Sequence, residues 1–167
     1  ILSRLVGSEM CIRDSVLSSH SQMLCFTTKG KVYWLKVYEV PIASRTSKGR
    51  PLVNMLNLDD DEKVSDILPV SEFSEDRYVF MATKKGITKK TNLSLFARKW
   101  KSGIKAIKLD NDDELIGSAI TNGNDEILLA SSAGKLIRFS EKKVRSLGRN
   151  TRGCLLYTSD AADESTC

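Results

Sequence analysis

Three copies of one hairpin, held at near-constant spacing, constrain this chain more than any other feature. The first reads Phe26-Thr27-Thr28-Lys29-Gly30-Lys31-Val32-Tyr33-Trp34, two short apolar strands around a polar turn. Gly30 falls where a tight hairpin needs positive φ. The figure returns around Gly86 in Phe80-Met81-Ala82-Thr83-Lys84-Lys85-Gly86-Ile87-Thr88-Lys89-Lys90, and around Gly134 in Leu128-Leu129-Ala130-Ser131-Ser132-Ala133-Gly134-Lys135-Leu136-Ile137-Arg138. Successive glycines are 56 and 48 residues apart. One hairpin per period of about fifty residues describes an array of sheet units, not one closed domain.

A second marker keeps phase with the first. Each hairpin is followed by a basic segment ending in glycine: Arg45, Lys48 and Arg50 around Gly49; Arg98, Lys99 and Lys101 before Gly103; Arg149 and Arg152 before Gly153. The offsets from hairpin glycine to loop glycine are 19, 17 and 19 residues. Acidic turns then follow at 59–62 and 110–114.

The two ends stand apart. Residues 9–15 back-translate to GAG ATG TGT ATA AGA GAC AG, and residues 154–159, with the preceding base, to its reverse complement. Both resemble a transposase-type sequencing adaptor translated in frame, so 1–15 and 154–167 are set outside fold reasoning. A secretory signal is excluded, because no apolar stretch follows Arg4. Of the four cysteines only Cys25 then remains. It is expected to be a packed strand thiol, in keeping with a reducing, cytoplasmic compartment. The excluded ends hold two basic residues (Arg4, Arg13) and five acidic ones (Glu9, Asp14, Asp160, Asp163, Glu164). Removing them raises the formal charge from +5 to +8.

Read in order, 24–28 and 31–37 form the first hairpin, with Val32 and Trp34 on one face and Tyr33, Leu35 and Val37 on the other. Apolar groups on both faces suit a strand between two neighbours, so Trp34 is expected in the core and not as a base-stacking platform. Strands are expected at 53–58, 64–70, 78–82, 87–90, 104–109, 115–121, 126–130 and 135–139. Brief helical turns are expected at 93–96 and 141–144. Four short strands per period indicate an all-β chain of propeller-like blades: about two complete and half of a third within 16–153.

Catalytic constellations are not found. His20 has no second ligand or nucleophile beside it and is expected to be structural. An EF-hand beginning at Asp110 fails, with Leu115 at the glycine position and Thr121 at the final glutamate, which leaves a solvated turn. Gly-rich phosphate loops do not occur. What remains is positive charge repeating once per blade, suited to the periodic charge of a phosphate backbone. Arg45, Lys48, Arg50, Arg98, Lys99, Lys101, Arg149 and Arg152 are the first candidates for duplex contact. Hairpin residues Lys29, Lys31, Lys84, Lys85, Lys89 and Lys90 are the second. No metal site is expected.

The run from Val32 to Pro41, the segment 44–50 and Leu147-Gly148-Arg149-Asn150-Thr151-Arg152-Gly153 resemble the C-terminal domain of the bacterial DNA gyrase A subunit. The resemblance covers essentially all of 16–153. It implies a six-bladed β-pinwheel whose blades exchange strands and whose rim bends sequence-nonspecific double-stranded DNA. The function it implies is support of ATP-dependent negative supercoiling by an A₂B₂ topoisomerase. Partners would be the gyrase A N-terminal region and the gyrase B subunit, in the bacterial cytoplasm at the nucleoid. ATP and Mg²⁺ would belong to the holoenzyme, with no cofactor in this stretch. The family's catalytic tyrosine lies in the N-terminal region, so Tyr33, Tyr38, Tyr78 and Tyr157 are not expected in that role. Its basic box, Gln-Arg-Arg-Gly-Gly-Lys-Gly, would lie in the blade before residue 16. Two other readings stay open: the C-terminal domain of a topoisomerase IV A subunit, and a protein-interaction propeller with no DNA role.

Overall fold

Each repeat begins the same way, and a hydroxyl explains why. In the computed structural model, which describes residues 16–44, 46 and 49–155, Gly30, Gly86 and Gly134 all take left-handed φ values of 72–80°. Their amides donate to the carbonyls of Thr27, Thr83 and Ser131. The side-chain hydroxyl of that same residue accepts the amide just past the glycine, from Lys31, Ile87 and Lys135 at 3.2–3.3 Å. A Thr or Ser three residues before the glycine therefore closes each turn twice.

Among the described residues, ten strands lie around these turns: β1 (Gln22–Thr27), β2 (Lys31–Lys36), β3 (Val64–Val70), β4 (Tyr78–Thr83), β5 (Ile87–Asn92), β6 (Ile104–Lys105), β7 (Leu115–Thr121), β8 (Glu126–Ala130), β9 (Leu136–Ser140) and β10 (Cys154–Leu155). They make two four-stranded sheets, ordered β3-β1-β2-β6 and β10-β5-β4-β7, and a two-stranded sheet, β8-β9. All the strand pairs are antiparallel. The first two sheets share even their irregularities, with register shifts at Phe26/Thr27 and at Ala82/Thr83.

The fourth strand of each full sheet comes from the following repeat. β6, beyond the second basic loop, pairs Ile104 with Val32 and Lys105 with Lys31. β10, beyond the third, pairs Cys154 with Thr88 and Leu155 with Ile87. The second and third basic loops thus each cross from one sheet to the one before it.

Packing fills both faces of the first sheet. Leu24, Phe26, Val32, Val79, Met81, Leu93, Phe96, Ile107 and Leu115 form a continuous core between the first two sheets. Each such side chain contributes about 1.5–3 kcal/mol by leaving water. Trp34 packs against this core and donates its Nε1 hydrogen to the Phe96 carbonyl at 2.9 Å. Cys25, Tyr33, Leu35 and Leu56 form a second cluster on the opposite face. Cys25 is fully buried, and burial pushes its thiol up to about 12.

Several expectations change. The stretch 53–58 is not a strand; after Pro51 a 3₁₀ turn at Leu52–Asn54 leads into residues that cover the outer face of the first sheet. The strand expected at 104–109 is only the pair Ile104–Lys105, because Ala106 and Ile107 both turn their amides to the Gly30 carbonyl. Leu93–Phe96 and Glu141–Lys143 are 3₁₀ turns as expected. Cys154 and Leu155, set outside the fold above, act as strand β10; main-chain pairing with β5 needs only extended backbone there. The adaptor-like residues 1–15 and 156–167, Tyr157 included, lie outside the described residues.

Candidate nucleic-acid interface

The second basic loop is anchored at its ends and free along its length. At one end Phe96 is buried with its carbonyl held by Trp34. At the other, Gly103 lies so close to the Tyr33 ring that a Cβ would meet it at 2.7 Å. Between them the Gly103 amide closes a turn onto the Trp100 carbonyl. Arg98, Lys99, Trp100 and Lys101 are all exposed. The Arg98 guanidinium stacks 4.8 Å from the Trp100 ring centre, which leaves a flat cation and an aromatic surface facing water.

The third loop is tied down from beneath. The Thr151 hydroxyl donates to the Gly148 carbonyl at 2.7 Å, and the Lys108 amide donates to the Thr151 carbonyl at 3.0 Å. Gly153 is required for close approach and not for left-handed backbone. A Cβ there would sit 2.3 Å from the Thr88 carbonyl oxygen, blocking the entry of β10. Arg149 is half-buried and Arg152 exposed, the latter paired with Asp110.

Loops two and three meet. A cleft of about 490 Å³ is lined by Leu95, Ile104, Lys105, Gly148, Arg149 and Asn150. Lys105 was not singled out from sequence, yet its place at the crossover strand puts a further exposed cation between the loops. Its signal was available: the loop glycine is followed by an apolar–Lys pair where the neighbouring sheet needs a strand. In the first loop Arg50 is exposed and lines a separate cleft with Met23, Leu35 and Met55. Arg45 and Lys48 lie outside the described residues.

The hairpin lysines are placed differently. Lys89 is fully buried and Lys90 nearly so, which removes both from any surface track. Lys89 donates to the carbonyls of Ala106 (2.7 Å), Arg149 (2.5 Å) and Thr151 (3.1 Å). Burial, aided by the Arg149 charge, pushes its ammonium down to about 8. Lys90 sits 3.5 Å from the buried Glu141 carboxylate and 4.3 Å from the Tyr78 ring centre. Lys31 pairs with Asp59 at 2.6 Å, a bond that raises its own pKa and lowers that of Asp59. Lys84 pairs with Glu114 at 3.7 Å. Lys29 and Lys85 remain exposed, but at turn tips flanked by the acidic turns. Asp59 responds to the Lys29 charge, and the Lys85 amide donates to Asp113.

Those acidic turns are only partly solvated. Glu62 is buried and accepts hydrogen bonds from the Thr27 hydroxyl (2.5 Å), the Tyr33 hydroxyl (2.9 Å) and the Asp59 amide (3.2 Å). Asp113 is buried at the matching place in the second repeat and accepts the Lys85 and Glu114 amides. Their work is to hold the hairpin turns. Among the described residues no cluster of His, Cys, Asp and Glu has metal-binding geometry. His20 is exposed in a turn. No described helix is long and apolar enough to cross a membrane.

Hairpin sheets in series, the first two each completed by a strand from the next repeat, define a strand-exchanged β-propeller array. Comparison with known proteins places it more narrowly. A model described as "DNA gyrase C-terminal domain, beta-propeller" matches residues 21–71, 77–122 and 125–153, one match for each hairpin, and the chain belongs to that family. The chain is 55% identical over 139 residues to the DNA gyrase A subunit of Aeromonas salmonicida, covering 83% of the chain and 15% of that protein. It is 46% identical over 155 residues to that of Haemophilus influenzae, covering 90% of the chain and 18% of the relative. The chain thus spans less than a fifth of these curated relatives. The crystal structure of a DNA topoisomerase IV C-terminal domain superposes with TM-score 0.76 at 26% identity, over 86% of this chain and 45% of that one. A DNA gyrase A C-terminal domain gives 0.67 at 23%, over 83% and 44%, a likeness of fold.

Proposed function

We propose that residues 16–153 are part of the duplex-wrapping surface of a bacterial gyrase A subunit, and that the phosphate path follows the loops that cross between sheets. The observation that carries this is the separation of charge. Exposed cations at Arg98, Lys99, Lys101 and Lys105, with the half-buried Arg149, lie on the two crossover loops or the strand entered from one of them, whereas the hairpin lysines sit beside acidic turns or inside the fold. Contacts of this kind read backbone charge and not base edges, so sequence preference is weak. A curved path has to offset a bending cost of about 1–6 kcal/mol for twenty to thirty base pairs. Loops repeating at every sheet junction supply phosphate contacts at intervals along such a bend.

In the whole enzyme this wrap feeds ATP-dependent negative supercoiling by an A₂B₂ assembly in the cytoplasm, with ATP and Mg²⁺ acting on its other parts. The relatives at 55% and 46% identity bear the gyrase A name, which favours this reading over a topoisomerase IV subunit. The test uses the full-length A subunit that holds this stretch, assembled with its B subunit. Replacing Arg45, Lys48 and Arg50 together by Gln is expected to weaken duplex binding and supercoiling while DNA cleavage and relaxation persist. Binding that ignores salt concentration, or equal loss of cleavage, contradicts the proposal.

A further inference from the structure

We infer that Lys89 is a positioning residue whose buried ammonium shapes the third basic loop by drawing the Arg149 and Thr151 carbonyls inward, so that the loop presents its arginines to the duplex. This rests on the reading of the crossover loops as the phosphate-contacting elements.

The geometry is specific. Lys89 lies in the middle of β5 with no exposed surface, and its ammonium has carbonyl partners on two separate segments: Ala106, just past the strand given to the first sheet, and the third loop at 149 and 151. Three carbonyl acceptors suit the three hydrogens of an ammonium group. A neutral or apolar side chain would leave those acceptors short of donors inside the protein, which is costly.

The repeat supplies an independent argument. Lys89 stands three residues past its hairpin glycine, Gly86. In the first sheet the residue three past Gly30 is Tyr33, and it too meets the following repeat's basic loop, with its ring against Gly103 and its hydroxyl on Glu62. The same register position therefore seats the crossover loop in both full sheets, by ring packing in one and by charge-assisted hydrogen bonds in the other. What the two side chains share is the loop they hold, not their chemistry.

The experiment uses the full-length A subunit. Lys89→Met keeps most of the length of the side chain and removes the ammonium. Amide hydrogen exchange is followed over residues 148–153 and, as reference, over β4 and β5. Duplex binding is titrated across salt. The expected result is at least tenfold faster exchange confined to the loop, with a salt slope reduced by about 0.9 for each phosphate no longer engaged. In an Arg149→Gln/Arg152→Gln background Lys89→Met is expected to reduce the slope no further, because the arginines it positions are already gone. Unchanged loop exchange, loosening shared equally by β4 and β5, or fully additive slope reductions would overturn the assignment. Should Lys89→Met fail to fold, Lys89→Gln, which keeps one amide donor group, is measured the same way. A wild-type subunit without salt-dependent duplex binding would defeat the reading of the loops, while the exchange data would still decide whether Lys89 orders residues 148–153.

Discussion

Replacing Arg98, Lys99 and Lys101 together by Gln separates phosphate contact from folding at a single loop. The three side chains are exposed, and among the described residues none forms an ion pair with an acidic group. The loop is held instead by the Phe96 carbonyl, by Gly103 against Tyr33 and by the pairing of Ile104 with Val32, none of which the substitutions touch. Only the Arg98–Trp100 stack is removed, at a cost of about 0.5–1 kcal/mol. Binding is different. Each neutralised phosphate contributes about 0.9 to the slope of log K against log salt, so releasing three phosphates lowers it by about 2.7. Between 50 and 200 mM salt the affinity gap between parent and variant should therefore narrow by roughly 40-fold. Fluorescence anisotropy with a labelled duplex measures the slope, and thermal unfolding of the same samples controls for folding. A slope equal to the parent's, in a variant that melts normally, refutes the placement of DNA on this loop.

Two further predictions concern the buried acids. Glu62→Ala strips acceptors from Thr27, Tyr33 and the Asp59 amide, and should lower stability by about 3 kcal/mol or more, read from the denaturant midpoint at neutral pH. Glu62→Gln, which keeps an acceptor oxygen, should lose less. At Glu141 burial raises the carboxyl pKa, but hydrogen bonds from Thr121 and the Asp125 amide, with Lys90 nearby, overcome it and hold the group below its ordinary 4.5. The unfolded chain takes up that proton first, so the stabilisation is complete above pH 4.5 and falls away as the pH drops below it. Urea titrations from neutral to acid pH should show this loss, and Glu141→Gln should remove that part of the pH dependence.

Much of the fold was legible because turn chemistry and period carry it. Gly30, Gly86 and Gly134 mark the hairpins, and the two-faced apolar pattern of β2 announces a sheet with neighbours on both sides. The buried lysines were misread for a reason in the same pattern. In a two-sided strand a lysine is solvent-facing only if a face is open, yet residues 88–91 are all buried. The loop carbonyls that hold Lys89 come from some sixty residues away, and local sequence holds no trace of them. The 53–58 segment failed conversely. Its apolar side chains do face the first sheet, but beyond Pro51 the backbone turns through a 3₁₀ segment and covers the strands without pairing. The acidic turns looked like solvent-facing charge because nothing local says that Glu62 and Asp113 fold back under the hairpins. At the candidate site the loops were visible from composition. Their position at the sheet crossovers came from strand pairing alone, and with it Lys105.

The central claim is that duplex runs along the crossover loops and not along the hairpin tips. Amine-reactive labelling of the full-length subunit, with and without plasmid DNA and read lysine by lysine by mass spectrometry, tests it most directly. DNA should strongly protect Lys99, Lys101 and Lys105, leave Lys29 and Lys85 reactive, and find Lys89 unreactive in both states. Protection of Lys29 and Lys85 with Lys99, Lys101 and Lys105 still fully reactive would place the DNA on the hairpin tips and contradict it.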